Sequence, residues 1–198
     1  MVGGQPRAAT DAELARGLAA GESWAIAETW HRFAPMVLTL AERSLGARAE
    51  AEDVAQEVFY RLYRRAGTLR EPDSLRSFVY SFAVRVVRSE LRRRRVRGWF
   101  PFLRAEVAPE GSGPAMDFES RDLLAKMYTL LDRLTARDRL VFVLRRLESK
   151  TVDEIAETLN LSPSTVKRSM AYASRRLSTW IEADPGLSGL VQEQRWGI

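Results

Sequence analysis

The stretch from Thr151 to Leu177 constrains the fold more than any other part of this chain. Thr151 and Glu154 have the spacing of a capping box, and apolar residues follow at helical spacing. A second helix is predicted to start at Ser162 and Pro163, because serine can cap a free amide and proline loses no hydrogen bond at the first helical position. Two short helices joined by a turn of about three or four residues are typical of a DNA-binding helix-turn-helix.

The second of these helices has two distinct faces. One face is apolar and carries Val166, Met170, Ala173 and Leu177. The other is polar and basic and carries Ser164, Lys167, Arg168, Ala171 and Arg175. An ordinary helical hairpin with a solvated basic face is the alternative explanation of this periodicity. The cap, the turn and the basic stripe together favour the DNA-binding interpretation.

Composition narrows the class of protein. The chain has 198 residues, enough for two small domains, and helical spacing recurs throughout, which predicts an all-α fold. A pI near 9.9 and a net charge of +5 favour a polyanionic partner. The absence of cysteine excludes disulfides and thiolate metal sites. No apolar run approaches the roughly 20 residues that span a membrane, and no signal-peptide core is present, so we expect a cytoplasmic protein without membrane insertion.

Charge is unevenly distributed along the chain. Residues 11–57 contain nine acidic residues and four arginines, whereas residues 72–97 contain eight arginines and two acidic residues. Such an asymmetry predicts one surface for a basic protein partner and another for nucleic acid.

Two predicted helices carry these charges. In residues 50–66, Val54, Val58 and Leu62 face a core, while the opposite face is polar and acidic in its first half; it is either a solvated face or a docking surface for a basic helix. In residues 74–97, cationic side chains recur along one side of the helix, which suits phosphate binding. Phe78, Tyr80 and Phe82 suit stacking on unpaired bases, and core packing explains Phe78 and Phe82 at least as well.

The domain boundaries follow from the breaks in these patterns. We expect a disordered lead over residues 1–10, a first domain over 11–97, a flexible linker over 98–117 with aromatics that dock elsewhere, a second domain over 118–182, and a tail over 183–198 of unassigned role. Pro35 is predicted to bend or break its helix. His31, the single histidine, is given a structural role. No catalytic set, metal cluster or phosphate loop occurs, so we expect neither a cofactor nor enzymatic activity.

With these residues in view, the chain resembles a bacterial RNA polymerase sigma factor of the extracytoplasmic-function (ECF) type, over about residues 25–177. AEDVAQEVFYRLYRR is similar to the family's polymerase-clamp-binding helix, and SLRSFVYSFAVRVVRSELRRRR to the helix that melts and recognises the minus-10 element. DRLTARDRLVFVLRRLESKTVDEIAETLNLSPSTVKRSMAYASRRL resembles the domain that recognises the minus-35 element.

The resemblance implies a role for each set of residues. It implies polymerase contacts at Asp53, Gln56, Glu57 and Arg61. It implies minus-10 contacts at Arg76, Phe78, Tyr80, Ser81, Arg85, Arg88 and Arg92. It implies minus-35 contacts at Ser164, Thr165, Lys167, Arg168 and Arg175. The implied partners are core RNA polymerase, promoter DNA as duplex and opened strand, and an anti-sigma factor, and we expect the free protein to be a monomer.

The sequence departs from the family pattern at three places. Phe78 stands where tryptophan is common, Val84-Arg85 where Arg-Asn is common, and Leu134-Thr135 where Leu-Pro is common. Because of the first two changes, the family's minus-10 sequence preference cannot be transferred to this chain. The third change affects only a helix start, which Thr135 can still cap. Two alternatives stay open. One is a stand-alone helix-turn-helix regulator, and the other is a sigma-like interaction module without promoter use.

Overall fold

The computed structural model describes residues 9–68, 75–96 and 118–187, and within these ranges the chain forms eight α-helices and no strand. The helices are α1 Asp11–Ala19, α2 Ser23–Leu45, α3 Arg48–Arg65, α4 Leu75–Val96, α5 Phe118–Asp132, α6 Ala136–Arg146, α7 Val152–Leu159 and α8 Pro163–Glu182. The predicted all-α architecture is therefore confirmed. The lead up to residue 8, the stretch 97–117 that contains the predicted linker, and the tail from residue 188 lie outside the described residues.

The N-terminal half is built around α2, which packs against α1, α3 and α4. Its apolar stripe, including Phe33, Val37 and Leu40, is buried against Phe59 of α3 and Val79 of α4. Of the two predicted effects of Pro35, a bend or a break, the break does not occur, because α2 continues from Ser23 to Leu45 through it. Pro35 is exposed, so water can satisfy the carbonyl group that the missing N–H leaves unpaired.

The C-terminal half contains the predicted helix-turn-helix. Thr151 and Glu154 form a complete capping box at the start of α7. After Leu159 the helix is capped by Asn160, whose φ of 52° is left-handed. Ser162 then caps α8, with Pro163 in its first turn. One side of α8 is buried with α5 and α6 through Leu130, Phe142, Leu177 and other apolar residues.

The two halves pack directly against each other. Leu144, Ile155 and Leu159 belong to the same apolar cluster as the core of α2, α3 and α4. At the edge of this junction, Arg43 donates hydrogen bonds to the Leu147 carbonyl oxygen at 2.7 Å and to the Glu148 carboxylate at 2.6 Å. The helix-turn-helix is thereby held on one side of α4.

Gly46 allows a second close contact at this junction. It ends α2 with a φ of +83°, and a Cβ atom at this position would lie 2.5 Å from the ring of Tyr128 in α5. The hydroxyl group of Tyr128 donates to the Glu42 carbonyl oxygen at 3.2 Å. A glycine is required here both for the turn and for the approach of the aromatic ring.

Candidate nucleic-acid interface

The basic face of α8 is exposed as the sequence predicted. Ser164, Lys167, Arg168 and Arg175 lie on this face, while Val166, Ser169, Ala173 and Leu177 are buried on the other side. Thr165 is half-buried, and its hydroxyl group lies 2.8 Å from that of Ser162 at the cap. Four of the five predicted minus-35 residues are thus available to a duplex, and the fifth supports the start of the helix.

The helix that precedes α8 is fixed by its own cap. The Thr151 N–H donates to the Glu154 carboxylate at 2.8 Å, and Lys150 donates to the same carboxylate at 3.0 Å. These hydrogen bonds, with the backbone one first, lower the pKa of Glu154 to about 2. The start of α7 is therefore held by an ionised carboxylate.

On α4, the predicted basic stripe is exposed from Arg85 to Arg95 but is interrupted at Arg88, which is half-buried. Arg85 and Arg92 are exposed, whereas Phe78 and Ser81 on the same side are half-buried. The guanidinium of Arg85 lies 5.1 Å from the ring centre of Phe82. Arg76 is exposed at the first turn of α4, away from this stripe on the helical wheel.

Tyr80 and Arg88 instead face the C-terminal half. The ammonium group of Lys150 lies 5.2 Å from the Tyr80 ring centre, and Arg88 donates to the Leu159 carbonyl oxygen at 3.3 Å. Burial raises the pKa of Tyr80, with Glu148 and Glu154 contributing, and burial lowers the pKa of Arg88. These two predicted minus-10 residues are covered in this arrangement of the halves.

Val84 lies between these two residues on the same side of α4. Residues 80, 84 and 88 follow at intervals of four, and Val84 is fully buried. An arginine, which the resemblance leads one to expect here, would place a charge within this apolar contact. The valine is thus consistent with close packing of the two halves.

Arg94 is a structural residue that the sequence pattern did not distinguish from its neighbours. Its guanidinium pairs with Glu50 of α3, lies 3.9 Å from Glu90, and donates to the Leu45 carbonyl oxygen at 3.2 Å. It therefore ties the end of α4 to α2 and α3. In the sequence, only its position at the edge of the buried face, beside Leu91, indicates this structural role.

The polar face of α3 is also exposed. Asp53, Gln56 and Arg61 are exposed, Glu57 is half-buried, and Glu57 pairs with Arg61 at 2.5 Å. The structure thus brings all four predicted polymerase contacts to one face of one helix. Its first half is acidic and its last turns, with Arg64 and Arg65, are basic.

Two kinds of site are not found in the part of the chain that the structure describes. No group of three or more histidine, aspartate or glutamate side chains there could hold a metal ion. Among the described helices, none combines the length and the apolar character that a membrane span requires.

Comparison with known families gives two matches. Residues 29–97 match Sigma-70 region 2, and residues 124–177 match Sigma-70, region 4. The first match covers most of α2 together with α3 and α4, and the second runs from within α5 to Leu177 of α8. Each half of the fold therefore corresponds to one matched region.

Individual proteins of similar sequence are also sigma factors. The chain is 33% identical over 135 residues to the ferric citrate uptake sigma factor FecI of Escherichia coli, covering 66% of this chain and 76% of FecI. It is 27% identical over 159 residues to the RNA polymerase sigma factor CnrH of Cupriavidus metallidurans, covering 75% and 83% of the two chains.

Solved structures of other sigma factors share the fold. The structure of CnrH in complex with the cytosolic domain of CnrY superposes with a TM-score of 0.60 at 24% identity, over 88% of this chain and 98% of that chain. The sigma factor RpoE in complex with the anti-sigma factor NepR, from Bartonella quintana, gives 0.56 at 16% identity, over 79% and 96%.

Proposed function

The chain belongs to the ECF-type sigma factors of bacterial RNA polymerase, and we propose that it binds core polymerase, recognises a promoter through its minus-35 and minus-10 elements, and promotes strand opening. Members of this family are transcription initiation factors, which are not enzymes in themselves. We propose no bond chemistry for this chain.

One observation carries the proposal. Three separate helices each expose a surface that suits one proposed step: polymerase binding, strand opening or recognition of the duplex. The acidic part of α3 suits a basic protein surface, the Arg85 and Arg92 side of α4 suits phosphates of an opened strand, and the basic face of α8 suits the major groove. Stacking and phosphate contacts on α4 would offset the cost of unstacking a base, which is a few kcal/mol. A stand-alone regulator would leave the α3 surface without a role.

We further propose an anti-sigma partner for this chain. Two proteins of similar fold occur in complexes with a second protein: CnrH with the cytosolic domain of CnrY, and the sigma factor RpoE with the anti-sigma factor NepR. The free chain is proposed to be a cytoplasmic monomer, since its DNA and polymerase surfaces must stay accessible. Sedimentation velocity of the purified protein would test this, and a dimer at micromolar concentration would contradict it.

Binding to core polymerase and promoter fragments tests the proposal as a whole. Labelled protein titrated with core polymerase should form a complex that retains genomic promoter fragments, while the free protein should bind the same fragments only weakly. Specific, tight duplex binding by the free chain, without any affinity for polymerase, would instead identify a stand-alone regulator.

A further inference from the structure

Two arginines and one tryptophan lie together at the side of the C-terminal half, and none of the contacts assigned above uses them. Arg133 is in the turn between α5 and α6, and Arg176 and Trp180 are in the last turns of α8. The guanidinium groups of Arg133 and Arg176 lie 5.6 Å and 4.9 Å from the ring centre of Trp180. These three residues form what we call the tryptophan patch.

Both arginines of the tryptophan patch are exposed cations without an acidic partner. Among the residues that the structure describes, neither guanidinium group forms a hydrogen bond or an ion pair. The buried Arg139 of the same half, by contrast, pairs with Asp132. Because stacking on the indole ring already orders the two exposed guanidinium groups, each loses less side-chain entropy when it binds a carboxylate.

Trp180 adds an apolar contact surface to these charges. Its ring is half-buried against the C-terminal core, which includes Leu177 and Ile181. Tyr172 precedes Trp180 by two helical turns on the same side of α8, and it is 46% exposed. Tryptophan, tyrosine and arginine are the residue types that most often contribute the binding energy of protein interfaces. The composition of this side of α8 therefore favours a protein partner.

The tryptophan patch is separated from the base-reading end of α8. Arg175 lies on the predicted DNA-binding face, and the next residue, Arg176, is rotated by about 100° around the helix axis. Arg176 and Trp180 lie about 18 Å and 24 Å along the axis from Ser164, whereas the N-terminal residues of a recognition helix contact the bases. A protein can therefore reach the patch while α8 is bound to a duplex.

We propose that the tryptophan patch binds an acidic protein segment. Two carboxylates one helical turn apart would pair with Arg133 and Arg176, and an aliphatic side chain between them would cover the exposed part of the Trp180 ring. Trp180 lies beyond residue 177, where the match to Sigma-70, region 4 ends, so that match gives the patch no role. This surface is additional to the polymerase and DNA surfaces proposed above.

A designed acidic peptide tests this proposal on the full-length chain. The probe is a fluorescein-labelled helical peptide with glutamates one turn apart and leucine between them, and the control peptide has glutamine in place of each glutamate. We expect the acidic peptide to bind about tenfold more tightly at low salt, because only carboxylates form charge-assisted hydrogen bonds with the guanidinium groups. Equal anisotropy isotherms for the two peptides, or no binding of either, would overturn the proposal.

Substitutions locate the acidic peptide on the patch. Arg133→Ala with Arg176→Ala should weaken its binding about tenfold. The matched control is Arg16→Ala on α1 with Arg121→Ala on α5, which removes two other exposed arginines and gives the same net charge. This control should bind the peptide as the wild type does, and thermal melts followed by circular dichroism would show that each variant is folded. An equal loss of affinity in both variants would mean that only the net charge of the chain attracts the peptide.

Trp180 provides a signal at the patch itself. Its indole Nε1–H resonance can be identified by its loss in the variant Trp180→Phe. This resonance should shift when the acidic peptide is added, whereas those of Trp24 and Trp30 in the N-terminal half should not. Peptide binding that leaves the Trp180 resonance unchanged would place the peptide elsewhere and contradict the proposal.

Salt-dependent binding to duplex DNA distinguishes a protein surface from a DNA surface. The variant Arg133→Ala, Arg176→Ala should retain the wild-type slope of log affinity against log salt. Arg168→Ala with Arg175→Ala should reduce this slope by about 0.9 for each phosphate contact removed. A reduced slope in the patch variant would show that the patch contacts DNA and that the proposal is wrong. None of these measurements uses polymerase, so their failure would leave the proposed function intact.

Discussion

At the scale of single residues, charged side chains differ in whether they hold the fold or face outward. Asp53 and Glu57 of α3 line a groove between α3 and α4, and Asp53 is exposed there. Arg32, by contrast, joins Asp11 of α1 to α2 at 3.3 Å and donates to the Ala9 carbonyl oxygen at 2.7 Å. Only outward-facing side chains such as Asp53 are available to a partner.

Removing both acidic side chains from α3 should weaken polymerase binding. We expect Asp53→Ala with Glu57→Ala to reduce affinity for core polymerase by about ten- to a hundredfold, because close charge pairs across an interface are lost. Fluorescence anisotropy of the labelled chain would measure this affinity. The double variant Glu157→Ala, Glu182→Ala removes two exposed acids from the C-terminal half and should bind normally. Equal affinity of the two double variants would show that the α3 face is wrongly assigned.

The cap of α7 predicts a pH dependence of stability. The pKa of Glu154 falls from its ordinary 4.5 to about 2 in the folded chain, so its contribution to stability is present above pH 4.5 and is lost as the pH falls towards 2. Glu154→Ala should therefore lower the melting temperature by a few degrees at pH 7. Melting curves recorded between pH 7 and pH 2 should converge for the two proteins; a constant difference would mean that the ionised carboxylate is not responsible.

At the scale of the helices, periodicity could predict which face of each helix is apolar but not which neighbour covers it. The polar and apolar faces of α3 and α8 follow directly from sequence spacing. On α4 the basic residues at 88, 92 and 94 look alike in the sequence, yet Arg88 contacts Leu159, Arg92 is exposed and Arg94 pairs with Glu50. These differences depend on contacts with residues far away in the chain, which local spacing cannot reveal.

Arg94 and Arg95 offer a direct comparison on this helix. The Arg94 side chain is only 12% exposed and ties α4 to α2 and α3, so Arg94→Ala should reduce the free energy of unfolding by about 2 to 3 kcal/mol. Arg95 is exposed, and Arg95→Ala should change stability by less than about 0.5 kcal/mol. Urea unfolding followed by circular dichroism would measure both, and similar values for the two variants would contradict the assignment.

At the scale of the whole molecule, the main feature is the packing of the helix-turn-helix half on α4. Tyr80, Val84 and Arg88 are covered by this contact, while the basic face of α8 stays exposed. The sequence predicted two domains but not this junction, because its apolar residues, such as Leu144 and Ile155, could equally belong to a core within one domain. Tyr80 and Arg88 can contact DNA only if the two halves separate.

Charge reversal at the edge of the junction should favour separation. Arg43→Glu places a carboxylate opposite Glu148 and removes the hydrogen bond to the Leu147 carbonyl, at a cost to the closed arrangement of about 2 kcal/mol. Small-angle X-ray scattering should show a larger radius of gyration. Arg48→Glu is the matched control, because Arg48 is similarly exposed, at 40% against 44%, and pairs within the N-terminal half. An unchanged radius for Arg43→Glu would mean that this contact does not hold the halves together.

Run-off transcription tests the central claim most directly. Core polymerase would be incubated with genomic promoter fragments, with and without the full-length chain. The proposed function predicts transcripts of defined length that appear only when the chain is present, and that are lost in the variant Arg85→Ala, Arg92→Ala. Absence of any transcript that depends on the chain, in a reaction where it binds core polymerase, would contradict its role in promoter recognition and opening.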